Sequence, residues 1–366
     1  MAYYIEIVNN VKEIPSYIWN SLVIASGGSI WSTYEWLRAY EESAPASVKA
    51  FHILVYSNQK LVGACPVYLT NECPTISGIY GAPDFEEPFF ISHSFSAFYG
   101  YPLLLNDQDQ HITSLIIDLL EKMAIENNAG AYGFVNIPEE KKTLISMLRA
   151  KGYKVSLIDM VSSMEITYSS YDEYLTTFRS NRRKYMRRVW KRNQAKGVRK
   201  IWDQAQMTTE DIHKLVLGTY ASHQETIFFP PSYIKAIFKY LHPYLRPLLL
   251  ETADGTPIAC AISFEFNDVL SSWFGGADQK HIKEYEPFYY IYLSLIDYAT
   301  KHRIKELCVG RRNYIFKSKF GFREHGVLLG LKPGNSVLAL PLDGWCQRLE
   351  REAKERWKKV LQRGRR

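Results

Sequence analysis

The chain has 366 residues, is 46% apolar and 14% aromatic, and carries a formal net charge of +7. That length favours two cores over one, and no apolar run approaches the roughly 18 residues that a membrane-spanning helix needs. The charge is uneven: residues 179–200 hold +11, residues 341–366 hold +5, and the remainder is therefore −9. Two basic segments on an acidic body point to an anionic ligand, to RNA, or to the protein's own acidic surface.

Tyr3–Val8 reads as a strand, followed by helices over Ile14–Leu22 and Tyr34–Ala44. Phe51–Tyr56 and Leu61–Leu69 are strands joined by Ser57-Asn58-Gln59-Lys60, a hairpin signal. Residues 71–110 are rich in Gly, Pro and aromatics and read as a long irregular stretch that lines something. A helix over 112–127, a strand over 132–137, a helix over 139–150 and an extended stretch over 154–168 complete the first half. The five Cys are widely spaced with no C-x-x-C pair, so neither a zinc site nor a disulfide framework is indicated. The N-terminus lacks the pattern of a signal peptide, and a cytoplasmic location is expected.

Ser170 and Glu173 have capping-box spacing. The basic stretch then begins, with apolar residues at Leu175, Phe178, Tyr185, Met186, Val189 and Trp190 on one helical face. Gly197 marks its end. Helices over 209–225 and 232–240 follow, then a hairpin of Leu248–Thr252 and Ile258–Phe266 and a strand over 269–275. A helix over 289–302, a strand over 306–309, a short helix over 314–319 and a strand over 327–332 end the second half. Glu350–Arg366 reads as a second basic helix.

The halves match in order. The hairpin at 51–67 answers the one at 248–263, helix and strand 112–137 answer 289–309, and Arg149–Tyr153 answers Lys317–Phe322. Each half ends as helix, Gly-aromatic, strand, which resembles the GNAT acyltransferase fold. The tandem arrangement resembles the FemAB-like and CelD-like superfamily, whose members include peptidoglycan-bridge aminoacyltransferases. Phe178–Lys184 is similar to that family's basic helix entering domain two. Tyr99-Gly100-Tyr101-Pro102-Leu103 is similar to its Tyr-Gly-Tyr-Gly-Gly-Pro loop without the paired glycines. Gly310–Gly321 is similar to its Gly-Arg-x-x-Tyr-x-x-Lys-x-x-x-Gly element. The resemblance implies an α+β chain of two tandem GNAT-like domains, each a mixed, mostly antiparallel sheet flanked by helices. The expected domains are 1–160, 161–340 entered by the basic helix 179–200, and a basic C-terminal helix 341–366.

Acyl transfer to an amine requires a positioned carbonyl, a stabilised oxyanion and a proton acceptor. Standard GNAT members cradle the coenzyme diphosphate on a Gly-rich loop opening the central helix. The matching slot, 275–287, lacks that pattern, and Pro287 reads as the helix start. Lys280 and His281 are placed for an anion there, and Asp278 is a candidate proton acceptor. Arg311, Arg312, Tyr314 and Lys317 form the densest candidate cluster for donor or substrate. His223, with Glu225 two positions on, is a candidate general base. Tyr99 and Tyr101 are candidate pocket walls.

Within 179–200, seven like-charge pairs stand four apart, which cost roughly 1.5–3.5 kcal/mol in an isolated helix. Either the acidic body or a phosphate offsets that, and Arg183 and Arg187 are the candidate phosphate contacts. The first expectation is therefore an N-acyltransferase taking an acyl group from an acyl-CoA or acyl-carrier-protein thioester to an amine, with no tightly bound cofactor. The alternatives are an aminoacyl-tRNA-dependent transferase extending a peptide or cell-wall precursor, and a non-catalytic RNA-binding or scaffold protein.

Overall fold

The computed structural model describes residues 3–71, 86–92, 96–202, 207–222 and 231–364. Among them the strands are β1 (Tyr4–Val8), β2 (Lys49–Ala50), β3 (His52–Ser57), β4 (Lys60–Cys65), β5 (Tyr68–Thr70), β6 (Phe89–Ser92), β7 (Leu103–Leu104) and β8 (Ala131–Pro138). They continue as β9 (Lys154–Glu165), β10 (Arg199–Ile201), β11 (Leu248–Glu251), β12 (Pro257–Phe266), β13 (Val269–Ala277), β14 (Glu306–Cys308) and β15 (Arg323–Pro333). The chain divides into two compact units. One comprises Met1–Val161, Arg311–Ser318 and Glu324–Arg366, the other Ser162–Gly310 and Lys319–Arg323. Segments that follow the second half in sequence thus belong with the first unit.

In the first unit the expected hairpin forms, with Asn58 and Gln59 both at positive φ (49° and 62°) as a tight two-residue turn demands. The hairpin is shared between two sheets. Its far ends pair with β1 and β7 in the antiparallel order β1-β3-β4-β7. Its near ends, β2 and β5, join β6, β8 and β15 in a second sheet, where β6 and β8 run parallel. The helix Gln110–Glu126 makes that parallel crossover. Its N-cap Asp109 accepts from the amides of His111 and Ile112, both at 3.0 Å. Its face of Ile112, Ile116 and Leu120 packs with Ile53, Phe90 and Phe134 in one core.

Strand β6 corrects the reading of 71–110 as irregular. Phe89-Phe90-Ile91-Ser92 is buried at all four positions, so it has no alternation for a periodicity search to find.

The second unit repeats the plan. Strands β10, β11, β12 and β13 are antiparallel in that order, and β14 runs parallel to β13 after the crossover helix Pro287–Lys301. Ser163–Glu165 of β9 pair antiparallel with β14. Pro287 occupies the first helical turn, as its fixed φ favours. This helix is buried on almost every side, including Ser294, Asp297 and Thr300, the habit of a central rather than a surface helix. On β13, β14 pairs with Val269–Ser271 alone, and β13 continues beyond it from Ser272 to Ala277. The C-terminal helix, Ala339–Gly364, is longer than its sequence signal and packs Leu342, Trp345 and Leu349 with β8 and β15 residues of the first unit.

Candidate active site

Within the first unit, the turn that carries Arg311 to Lys317 is held from inside. Gly310, Arg312 and Asn313 all take positive φ (68°, 65° and 52°), a backbone that costs L-residues energy and persists only where its surroundings impose it. Lys317 is only 2% exposed, and its ammonium donates to the Arg311 carbonyl at 2.8 Å. Tyr314 donates its hydroxyl to Asp159 Oδ1 at 2.6 Å and also lies 3.0 Å from the Met160 carbonyl. Burial, then the Asp159 carboxylate, drive its pKa far above the usual tyrosine value. The Arg311 guanidinium donates to the Phe98 carbonyl at 2.7 Å. That bond ties the turn to the aromatic loop carrying Tyr99 and Tyr101.

The loop lies where β6 has ended and β8 continues. The Gly100 amide donates to the Asn136 carbonyl at 3.0 Å, and the Asn136 side chain donates to the Ala97 carbonyl at 3.3 Å. Tyr101 is buried, its hydroxyl pushed up to about 12 by desolvation and then Glu140, with the Lys141 ammonium 4.7 Å from its ring. The structure therefore brings Arg311, Tyr314, Lys317, Tyr99 and Tyr101 together in one unit. Arg312 is exposed beside them.

The second unit contains the stretch that the sequence matches to the diphosphate slot of a standard GNAT domain. Residues 278–286 contain no glycine and fold as a short 3-10 turn, Gln279–His281, and a helical turn, Ile282–Tyr285. Several of its amides are consumed internally. Asp278 N donates to the Ile258 carbonyl (2.9 Å), His281 N to the Asp278 carbonyl (3.0 Å) and Glu286 N to the Ile282 carbonyl (3.1 Å). Lys280 N is taken by the Asp278 carboxylate at 3.0 Å, so that side chain serves as a cap. At the end of β13, the Ala277 amide donates to Thr219 Oγ1 at 2.8 Å. Gly276 lies so close to the helix Thr209–Ser222 that a Cβ there would stand 2.3 Å from the Leu215 carbonyl oxygen. Lys280 is exposed, and His281 stacks edge-on against Tyr285. His223 and Glu225 lie outside the described residues.

The basic helix spans Ser180–Ala195 and ends at Gly197 in the left-handed conformation. Ser170 accepts from the Glu173 amide as a capping box requires, while the Glu173 carboxylate reaches back to the amide of Ser169. Acidic residues of the same unit offset part of the charge. Arg187 meets Asp172 (3.3 Å), Arg192 meets Glu286 (2.5 Å), Lys196 meets Glu284 (2.6 Å), Arg199 meets Glu251 (2.7 Å) and Lys200 meets Asp297 (3.8 Å). Tyr185 also bonds to the Glu286 carboxylate. Arg179, Arg182, Lys184, Arg188 and Lys191 are exposed without an ion pair among the described residues. Arg183 is half-buried, 3.4 Å from the Phe178 carbonyl. Met186 and Val189 are buried, and Trp190 stacks on Tyr171, so the apolar face is packing rather than a platform for bases.

The family model for FemAB-like proteins, described as peptidoglycan biosynthesis and recognition, matches residues 88–340. The chain belongs to the FemAB-like family. No curated protein matches the sequence. Among solved structures, FemX is 12% identical with a TM-score of 0.63, covering 89% of this chain and 96% of that one. L-PGS from Bacillus licheniformis is 13% identical with a TM-score of 0.56, covering 92% and 96%. A tandem GNAT protein from the clavulanic acid biosynthesis pathway is 11% identical with a TM-score of 0.54, covering 91% and 99%. The fold of this FemAB-like protein is thus the tandem GNAT fold, and the protein is an acyltransferase of that type. Among the described residues no helix is long and apolar enough to cross a membrane.

Sequence reasoning missed Asp159, Thr219 and Glu286 in this FemAB-like chain. Asp159 had a legible signal, since one carboxylate inside the apolar strand run Leu157–Met164 must find partners if buried. Thr219 and Glu286 had none, because their partners stand 58 and 94 to 101 residues away.

Proposed function

We propose that the protein transfers an aminoacyl group from the ester of a charged tRNA to an amine of a cell-wall-precursor type of acceptor. The observation that carries this reading is the state of the slot at 277–286. A coenzyme diphosphate needs free backbone N–H groups and a positive helix start. Here the amides of Ala277, Asp278, Lys280, His281 and Glu286 already have acceptors. The Glu286 carboxylate stands at the head of the central helix, where a diphosphate would meet like charge. A thioester donor of the ordinary GNAT kind would therefore find these five amides already engaged. An aminoacyl ester on tRNA does not use that slot. Its phosphates match the exposed Arg and Lys of the basic helix.

In the step itself the acceptor nitrogen attacks the ester carbonyl, the carbon–oxygen bond to the terminal ribose breaks, and the amine gives up a proton as that hydroxyl leaves. Arg311 and the Tyr99–Tyr101 loop would position the acceptor.

The test is mass spectrometry of an amine acceptor incubated separately with charged tRNA, acyl-CoA and acyl carrier protein. Product with charged tRNA alone is expected. Arg182→Glu with Arg188→Glu, both exposed and without an ion pair among the described residues, should abolish donor binding, and binding to the unmodified protein should fall steeply with salt. Product from acyl-CoA or acyl carrier protein with none from charged tRNA overturns the donor assignment.

A further inference from the structure

The first unit contains a second polar site that shares no residue with the turn at 311–317. A groove of about 380 Å³ opens between the end of β1, the helix Tyr34–Ser43 and the edge strand β2, lined by Asn9, Asn10, Glu41, Lys49, Phe51 and Tyr68 among others. Its volume suits a ligand of amino-acid to dipeptide size, as small-molecule pockets begin near 300 Å³. Glu41 is at its floor, with a side chain only 6% exposed.

That carboxylate is built into place. Oε1 lies 2.7 Å from His52 Nε2 and accepts from the Tyr68 hydroxyl at 3.1 Å. Oε2 accepts from the Val11 amide at 2.8 Å. An ionised carboxylate has about four lone-pair positions, so three contacts leave one for a donor arriving through the groove. His52 is fully buried, and its Nδ1 has no hydrogen-bond partner among the described residues. At the rim, Lys49 is exposed and has no ion pair among the described residues. Phe51, Tyr68, Ala44 and Ala46 supply apolar wall.

We infer that this groove binds a small zwitterion of the α-amino-acid class, with its ammonium on Glu41 and its carboxylate on Lys49. The inference does not rest on the proposed tRNA donor, and it stands or falls separately.

Calorimetric titration of the full chain with L-alanine, L-lysine, L-alaninamide and acetate tests it. Saturable binding of at least one amino acid and of the amide is expected, with none for acetate. Lys49→Ala should weaken the amino acid at least fivefold and leave the amide unchanged, because only the former has a carboxylate. Glu41→Gln should weaken both at least tenfold. Ala46→Trp, at an exposed position on the groove wall, should block both without unfolding the core and so covers the case in which Glu41→Gln does not fold. No saturable binding of any amino acid at tens of millimolar, or unaltered affinity in the folded Ala46→Trp protein, overturns the proposal.

Discussion

Replacing Tyr314 by Phe removes one hydroxyl from an enclosed polar cluster and leaves its shape. That hydroxyl donates to Asp159 Oδ1 at 2.6 Å, and Asp159 has no exposed surface. After the substitution the nearest cation to that oxygen is Arg356 Nε at 3.7 Å, while Oδ2 has no hydrogen-bond partner among the described residues. A hydrogen bond to a charged group contributes about 1.5–3 kcal/mol, and its loss leaves a buried acceptor unsatisfied. The Arg356 guanidinium is already committed to the Ile158 carbonyl at 2.9 Å, so it does not take the place of the lost hydroxyl. Each kcal/mol shifts the midpoint of a unit of this size by about 2–4 °C, so a fall of about 3–12 °C is expected. Scanning calorimetry reads it. The double mutant Tyr314→Phe/Asp159→Ala should cost less than the sum of the single changes by about 1 kcal/mol or more, since both remove the same bond. A midpoint within about 1 °C of the original, or strict additivity, would refute the claim that this bond holds the Arg311–Lys317 turn.

Two further outcomes follow from local geometry and charge. Gly276→Ala places a methyl group 2.3 Å from the Leu215 carbonyl oxygen and 2.6 Å from the Val216 amide nitrogen, both backbone atoms that cannot rotate away. Overpacking of that kind costs about 1–3 kcal/mol, and urea denaturation showing an unchanged midpoint would contradict it. Burial holds the Glu324 carboxyl above its ordinary 4.5, while its backbone amide, Lys317 and His325 pull the other way. Its contribution is then full below the ordinary value and lost as pH rises through the raised one. Glu324→Gln should therefore raise the thermal midpoint at neutral pH and give no gain below about pH 4. An equal gain at both pH values would remove burial as the cause.

Much of the fold was legible because it is written in local spacing. The hairpin turn at Asn58-Gln59, the Pro287 start, the Gly197 stop and the capping residue Ser170 each act on neighbours within four residues, and each appears where its chemistry places it. The apolar stripe of the basic helix was readable for the same reason. Strand β6 was not, since four buried residues in a row leave no alternation. The split of one hairpin between two sheets was also hidden. It depends on β1, β6 and β7 taking opposite ends of the same ribbon, and strand order is not a property of any one segment.

The site divides in the same way. Residue types, spacing and the resemblance to the family's Gly-Arg-x-x-Tyr-x-x-Lys element singled out Arg311, Tyr314 and Lys317, and the slot before the central helix was seen to lack the Gly-rich diphosphate pattern. Sequence also determined that the helix at 179–200 carries more like charge than a bare helix tolerates. Only the tertiary structure decided what each group is bonded to. It put Lys317 on a carbonyl, Tyr314 on Asp159, Thr219 on the Ala277 amide, and Arg192 with Tyr185 on Glu286. The reason is physical. Hydrogen bonds and ion pairs act over a few ångströms, and folding closes those gaps between residues that stand as much as 213 positions apart in the chain.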